Sequence, residues 1–174
     1  QKKFNLGRYF SKEIELLSLF QKVWVISSDE NYVFSQFVSS KVITISHTLK
    51  SKFQSTSKNK KYDLVYVASS NDHNIKSAQW FFKEVYPKLN STLSICVVGK
   101  INDFISNFPN VTKIHFAEDL NQIYSDSKVA ICPMLSGTGL KIKVVEALSF
   151  GLPVICNLRG IDGLINKTNN GCLV

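Results

Sequence analysis

A glycine-rich turn followed by closely spaced lysines is the part of this sequence best suited to chemistry. It comes shortly after an apolar segment that ends at Pro133, and it reads Gly137-Thr138-Gly139-Leu140-Lys141-Ile142-Lys143. We predict a helix over residues 140–150, so both lysines fall in its first turn. The helix dipole disfavours cations there, whereas free N–H groups and nearby glycines accommodate phosphate. The stretch therefore favours phosphate binding over a plain strand-to-helix turn.

Glu146 lies on the same predicted helix and has two candidate partners. If its face of the helix is buried beside Ile142 and Phe150, the carboxylate needs hydrogen-bond donors, and the two hydroxyls of a ribose would supply them. If that face is solvated, Lys143 three residues earlier would form an ion pair that contributes about 0.2–0.5 kcal/mol. The helical spacing fits both interpretations.

Strand-sized apolar segments alternate with helical patterns after residue 62. The predicted strands cover residues 63–68, 93–98, 111–116, 129–132 and 154–156. The predicted helices between them cover residues 74–86, 103–108, 119–125 and 140–150. This alternation predicts an α/β, Rossmann-like parallel sheet with helices on both faces. Because such sheets bind ligands beyond the carboxyl ends of their strands, we expect the glycines and lysines to lie there.

The chain carries a net charge of +8, and part of that charge lies in one polar stretch. The lysines of this stretch are Lys50, Lys52, Lys58, Lys60 and Lys61. We interpret the stretch as a solvated basic linker and not as a nucleic-acid-binding surface, because only two aromatic residues, Phe53 and Tyr62, lie near it. A peripheral contact with acidic lipid is the other anionic partnership that this charge allows.

Cysteine usage and hydropathy are typical of a reduced, cytoplasmic protein. Cys96, Cys132, Cys156 and Cys172 each stand alone in an apolar segment, and their spacing is unlike that of zinc ligands. We therefore expect free thiols and no metal. No apolar run approaches the length of a membrane-spanning helix. The sequence has no initiator methionine and ends at Val174 within an apolar segment, so we expect a fragment of a longer protein.

The segment from Gly137 to Leu164 resembles the donor-binding signature of the group 1 (family 4-like) glycosyltransferases. The similar residues continue upstream, through the first predicted strand and helix, and the resemblance covers residues 62–174. It implies that this part of the chain is the C-terminal, nucleotide-sugar-binding half of a GT-B fold. It also implies that residues 1–45 are a small remnant of the N-terminal, acceptor-side half and that residues 46–61 are a linker.

The resemblance implies roles for particular residues. Glu146 corresponds to the glutamate that binds the nucleotide ribose, and the loop from Gly137 to Leu140 corresponds to the segment whose amides hold the donor diphosphate. Gly99 and Lys100 correspond to positions that line the base pocket. Asn74 lies where many relatives carry a lysine that reaches the phosphates, so this contact departs from the family pattern.

The implied activity is transfer of a sugar from a nucleoside-diphosphate donor to a glycan, lipid-linked or small-molecule acceptor, without a metal or cofactor and with retention of configuration. Lys141 and Lys143 are candidates for stabilising charge on the departing diphosphate, and we expect the catalytic acid or base outside this chain. Thr138 replaces a second glutamate that contacts the donor sugar in relatives. A non-catalytic nucleotide-sugar-binding module is therefore an alternative, as are an epimerase or a phosphorylase of the same architecture.

Overall fold

The computed structural model describes residues 5–53 and 59–174. Lys58 of the predicted linker lies outside the described residues. The chain forms two parallel sheets. The smaller sheet pairs β1 (Lys22–Val25) with β2 (Lys41–Thr44). The larger sheet has six strands, which are β3 (Tyr62–Val67), β4 (Ile95–Val98), β5 (Val111–Ile114), β6 (Ser127–Cys132), β7 (Val154–Cys156) and β8 (Cys172–Leu173).

The strands of the larger sheet lie in the order β5-β4-β3-β6-β7-β8, and every neighbouring pair is parallel. Winding proceeds outward from β3 to one side and then from β6 to the other, so the direction changes between β3 and β6. Open α/β sheets bind ligands in the crevice at this switch point. The predicted Rossmann-like parallel sheet is confirmed, and its topology brings the carboxyl ends of β3 and β6 side by side.

Helices cover both faces of the larger sheet. On β4, Cys96 and Val98 belong to one core with α4 (Asn121–Ser125) and α5 (Ile142–Ser149). Ile95 and Val97 belong to a second core with α3 (Asp72–Trp80). Successive residues of a strand point to opposite faces, which places alternate side chains in the two cores. All four residues are at most 2% exposed, which explains why β4 is continuously apolar.

Two helices of the larger sheet's region have boundaries that differ from the predicted ones, and one difference is explained by a side-chain cap. α3 begins at Asp72 and not at residue 74, because the side chain of Asn71 accepts a hydrogen bond from the N–H of Asn74 at 2.9 Å. It continues as a π-helical turn, Phe81–Val85. The helix predicted over residues 103–108 is instead a 3-10 turn over Lys100–Phe104.

α5 begins at Ile142, two residues later than predicted, and Lys141 is its N-cap residue. Lys141 therefore precedes the first turn, and only Lys143 lies within it. The backbone of Gly163 occupies the space beside Leu140, since a Cβ at residue 163 would lie 2.5 Å from the Leu140 nitrogen. This close approach holds Leu140 in the loop. The short edge strand β8 was not predicted from the sequence.

The N-terminal segment contains α1 (Leu6–Leu17) and α2 (Ser28–Phe34) beside the smaller sheet. α1 starts at Leu6, because Asn5 caps it by accepting a hydrogen bond from the N–H of Arg8 at 3.0 Å. α2 starts at Ser28, because the side chain of Ser27 caps it by accepting a hydrogen bond from the N–H of Glu30 at 3.1 Å. Asp29 of α2 contacts a loop of the larger sheet.

Two regions outside the larger sheet are attached to it. The N–H of Gly163 donates to Asp29 Oδ2 at 2.8 Å, which joins α2 to the loop after β7. The N–H of Lys52 donates to the carbonyl oxygen of Ser149 at 2.8 Å, and its ammonium donates to Asn121 Oδ1 at 2.9 Å. Lys52 is exposed, as a solvated basic stretch predicts, but these hydrogen bonds attach it to the end of α5 and to the start of α4.

Candidate functional site

A pocket of about 430 Å³ opens at the carboxyl ends of β3 and β6. Its walls come from the segment after β3 with the start of α3, and from the loop after β6 with the start of α5. This is the switch point of the sheet, and the volume falls in the range of about 300–1,000 Å³ typical of small-molecule sites. Six of the predicted site residues line the pocket: Asn74, Gly137, Thr138, Leu140, Lys141 and Lys143.

The ammonium of Lys141 closes the loop that precedes α5. Lys141 is 8% exposed, and Nζ donates to the carbonyl oxygens of Gly139 at 2.8 Å and Gly137 at 3.2 Å. Both carbonyls are therefore engaged by a cation within the loop. Burial lowers the pKa of Lys141, and the carboxylate of Asp162 offsets this effect only in part.

Lys143 extends from the first turn of α5 toward the opposite wall. Its Nζ donates to Asn74 Oδ1 at 2.8 Å and lies 5.7 Å from the centre of the Tyr66 ring. Burial lowers the pKa of Lys143, and the nearby charge of Lys141 lowers it further. Among the described residues, no carboxylate forms an ion pair with either lysine. Partly buried cations without a counter-ion are unfavourable, so the pocket is suited to an anion.

The main chain of the loop adds hydrogen-bond donors to this charge. Gly137 and Gly139 have φ values of 90° and 76°, which glycine adopts without strain. Across residues 137–143, no protein group in the described part of the chain accepts a hydrogen bond from a main-chain N–H. The side chain of the N-cap residue Lys141 does not cap α5. Free amides at a helix start, beside two ammonium groups, are well placed to bind phosphate oxygens.

α3 directs its N-terminus at the same pocket from the other wall. Asn74 is 4% exposed, and its Nδ2 donates to the carbonyl and hydroxyl oxygens of Ser69, both at 3.1 Å. This arrangement leaves Oδ1 to accept the hydrogen bond from Lys143. Residue 74 is neutral where relatives were expected to carry a lysine. The ammonium of Lys143 nevertheless places a positive charge at this wall.

Sequence reasoning overlooked His73, which also lines the pocket. It is the second residue of α3, and its Nδ1 lies 2.8 Å from the hydroxyl oxygen of Ser136 in the loop after β6. The two residues are 63 positions apart, so no local spacing indicated the pair. The available signal was a polar residue in the first turn of a helix that follows a parallel strand.

Glu146 lies one helical turn beyond the pocket-lining Ile142 and does not itself line the pocket. It is partly buried, and its Oε2 accepts a hydrogen bond from the hydroxyl of Tyr124 at 3.1 Å. The ion pair with Lys143 that the spacing allowed does not form, because the Lys143 ammonium contacts Asn74 instead. Burial, together with the Glu146 carboxylate, raises the pKa of the Tyr124 phenol. Tyr124 therefore acts as the donor and orients the carboxylate.

Gly99, Lys100 and Gly139 were predicted site residues that do not line the pocket. Gly99 follows β4 with φ of 110°, and a Cβ there would lie 2.2 Å from the carbonyl oxygen of Ala68. Packing against the end of β3 therefore requires glycine at this position. Lys100 is exposed at the start of the next 3-10 turn. Gly139 contributes its carbonyl oxygen to Lys141.

The cysteines and acidic residues show no arrangement for metal chemistry in the described ranges. Within residues 5–53 and 59–174, no cluster of three or more His, Cys, Asp or Glu side chains could hold a metal ion. The four cysteines are free, and burial raises the pKa of Cys96 to about 11 and that of Cys156 to about 12. Thiols with raised pKa values are poor nucleophiles. None of the helices that the structure describes is long and apolar enough to cross a membrane.

Comparison with known families identifies one match. Residues 61–174 match the family model described as glycosyl transferases group 1. The match begins at the start of β3 and includes the whole of the larger sheet and the pocket. A search of curated proteins gave no match.

Several solved structures share the fold. Anabaena Alr3699/HepE in complex with UDP and glucose has a TM-score of 0.69 at 13% identity, over 90% of this chain and 50% of that one. An S. aureus TarM mutant in complex with Fondaparinux, alpha-GlcNAc-glycerol and UDP has a TM-score of 0.66 at 18% identity, over 99% and 38%. The pneumococcal O-GlcNAc transferase GtfA in complex with UDP and GlcNAc has a TM-score of 0.61 at 21% identity, over 86% and 32%. At these identities the likeness concerns the fold, and this chain spans at most half of their length.

Proposed function

Because this chain belongs to the group 1 glycosyltransferases, we propose that it is the donor-binding part of an enzyme that transfers a sugar from a nucleoside diphosphate to a glycan, lipid-linked or small-molecule acceptor. In this proposal residues 62–174 form the donor domain, residues 46–61 the linker and residues 1–45 part of the acceptor side. The observation that carries the proposal is the pair of lysines at the switch point of the sheet, with which no carboxylate of the described residues forms an ion pair.

The donor diphosphate would bind between the two helix starts. The free amides of residues 137–143 and the ammonium of Lys143 would hold its oxygens, while Lys141 keeps the loop in shape and adds positive charge. When the bond from the sugar to the diphosphate breaks, negative charge grows on the departing oxygen. Donors that are already oriented toward this position stabilise the transition state more than the ground state.

Glu146 would bind the ribose. It follows Ile142, which lines the pocket, by four residues and so lies on the same side of α5. A nucleotide whose diphosphate occupies the pocket would extend along this face of α5. Tyr124 contacts one carboxylate oxygen of Glu146, and no side chain of the described residues donates to the other, which would accept from the ribose hydroxyls.

A uridine nucleotide is the first donor to test, because three structures with this fold were solved with UDP. The free thiols and the nucleotide-sugar chemistry fit a cytoplasmic enzyme, and a lipid-linked acceptor would bring it to a membrane surface through basic residues such as the exposed Lys50. The arrangement of lysines and amides needs no metal to neutralise the diphosphate. Metal independence and retention of configuration stay predictions.

A non-catalytic nucleotide-sugar-binding module is the second candidate. The observation that favours it is the lining of the pocket, which contains no carboxylate among the described residues. Thr138 stands where a second glutamate was expected to contact the donor sugar. Both candidates predict nucleotide binding, and only the first predicts transfer or slow hydrolysis of the donor.

Calorimetry with UDP, UMP and uridine tests the shared donor site. If the pocket holds a diphosphate, UDP binds at least about tenfold more tightly than UMP, because the second phosphoryl group adds charge-assisted hydrogen bonds. Equal affinities for the three compounds would refute the diphosphate site. A thermal-shift panel with GDP and ADP identifies the base. Release of UDP from UDP-sugars by the full-length protein then separates the enzyme from the binding module.

A further inference from the structure

His73 is the pocket side chain to which the proposed function assigns no role. It lies in the first turn of α3, on the wall opposite the loop that carries Lys141. Its ring packs against that loop, since a Cβ added at Gly137 would lie 3.4 Å from His73 Cγ and 3.6 Å from Cδ2. The imidazole is exposed, and from α3 it contacts the loop after β6 at Ser136 and Gly137.

The hydrogen bond to Ser136 determines which ring nitrogen faces a ligand as a donor. Nδ1 lies 2.8 Å from the Ser136 hydroxyl oxygen, and in the described part of the chain neither Nε2 nor this hydroxyl has another protein partner. If the serine donates to Nδ1, the ring proton is on Nε2. If Nδ1 donates to the serine, a neutral ring has a lone pair on Nε2. An anion in the pocket selects the forms that carry a proton on Nε2.

We propose that His73 is a third ligand of the donor diphosphate: Ser136 donates to Nδ1, and Nε2–H donates to a diphosphate oxygen. The proposal rests on the proposed function of the same pocket. His73 then contacts the leaving group from α3, while Lys143 and the loop amides contact it from α5. The two helices together would enclose the diphosphate, which gives His73 a part in distinguishing diphosphates from monophosphates.

Three substitutions of His73 separate a contact through Nε2 from a role through Ser136. The amide of glutamine reaches the position of Nε2, that of asparagine reaches the position of Nδ1, and leucine replaces neither. We expect His73→Leu and His73→Asn to weaken UDP binding about tenfold, as loss of a hydrogen bond to a charged group does, and His73→Gln to stay within about threefold of the wild type. Uridine affinity should not change.

The opposite ranking would overturn the proposal. If His73→Asn retains UDP binding and His73→Gln loses it, the histidine acts through Ser136 and only positions the loop. Unchanged UDP affinity in His73→Leu would also overturn it. Ser136→Ala provides a second measurement that leaves the imidazole in place, and we expect a loss of about threefold that Ser136→Thr restores. An undiminished affinity in Ser136→Ala would contradict the role given to the hydroxyl.

A lysine variant distinguishes failure of this inference from failure of the donor site. If the wild-type chain binds none of UDP, GDP and ADP in calorimetry, the donor site and the role of His73 are both wrong. If UDP binding is lost in Lys143→Met but unchanged in His73→Leu, only the inference about His73 is wrong. Circular dichroism melting of each variant confirms that the affinities are measured on folded protein.

Discussion

Charged side chains at the two ends of the larger sheet differ in the partners that they contact. At the amino ends, Asp63 on β3 accepts hydrogen bonds from the N–H of Ser94 at 2.8 Å and its hydroxyl at 2.9 Å, and it pairs with Lys128 on β6 at 2.6 Å. At the carboxyl ends of the same strands, the hydrogen bonds of the Lys141 and Lys143 side chains within the described residues go to neutral groups. The charged groups at the amino ends form an ion pair, whereas no carboxylate of the described residues forms one with the two lysines at the carboxyl ends.

We therefore expect the amino ends of the strands to contribute to stability and the carboxyl ends to ligand binding. A satisfied cluster lowers the free energy of the folded state, and removing one partner from it destabilises the fold. Cations left without partners lower stability and are retained where a ligand supplies the missing charge. Mutations at the amino ends should therefore change the free energy of unfolding, and mutations at the carboxyl ends should change the affinity for UDP.

Gly99 should be the clearest exception, because it follows the carboxyl end of β4 but is required there for packing against Ala68. Gly99→Ala would place a Cβ 2.2 Å from the Ala68 carbonyl oxygen at a φ of 110°. Backbone strain and the clash together should lower the free energy of unfolding by about 3 kcal/mol. Urea denaturation measures this loss. Gly139→Ala is the control, since its Cβ would meet nothing within 4 Å, and only about 1 kcal/mol of strain is expected.

Lys143→Met should have the largest effect on affinity. Loss of the ammonium should weaken UDP binding by about 2 kcal/mol, or roughly thirtyfold, and should not lower the free energy of unfolding, because a poorly compensated buried charge is removed. Wild-type affinity should decrease as the pH rises through the lowered pKa of Lys143, because only the ammonium form attracts the diphosphate. Calorimetry at a series of pH values below 10.5, the usual pKa of lysine, measures both effects. Lys128→Met at the amino ends is the control, and a comparable loss of UDP affinity there would contradict the expected difference between the two ends.

Asp63→Asn should affect stability and leave UDP affinity unchanged. Hydrogen bonds from Lys128 and Ser94 lower the pKa of Asp63 to about 2 from 3.8. After allowance for solvent screening, the charged form contributes about 1–2 kcal/mol to stability. This contribution is fully present above the unfolded-state pKa of 3.8 and is lost as the pH falls through about 2. Urea titrations at neutral pH and at about pH 3 should therefore show a smaller difference between wild type and variant in acid.

The fold was predictable where each element has its own local signal. The strands of the larger sheet up to β7 are apolar runs of strand length, and their alternation with helices predicted a parallel sheet before the strand order was known. β8 has only two residues, Cys172 and Leu173, and pairs at the sheet edge, so its sequence carries too short a pattern. The late start of α5 depends on the packing of Gly163 against Leu140, which no pattern near residue 140 indicates.

For the candidate site, the sequence indicated residue types but not the contacts between them. The glycine turn and the two lysines are recognisable as a possible phosphate-binding segment because they lie close together in the sequence. The partner of Lys143 is Asn74, which is 69 positions away, and the partner of Glu146 is Tyr124, which is 22 positions away. Spacing along one helix allowed a pair between Lys143 and Glu146, which does not form. Partners contributed by different strands and helices follow from topology, so local periodicity could not reveal them.

The smallest expected effect concerns the orientation of Glu146. In Tyr124→Phe, the carboxylate loses the hydrogen bond from the tyrosine hydroxyl, so we expect UDP affinity to fall about two- to threefold and the free energy of unfolding to fall by about 1 kcal/mol. The matched control is Tyr86→Phe, which removes the hydrogen bond to Asn110 near the amino ends. That variant should lose similar stability and retain its affinity. Calorimetry and urea denaturation on both variants measure the contrast, and equal UDP affinities in the two would show that Tyr124 does not orient a ligand-binding carboxylate.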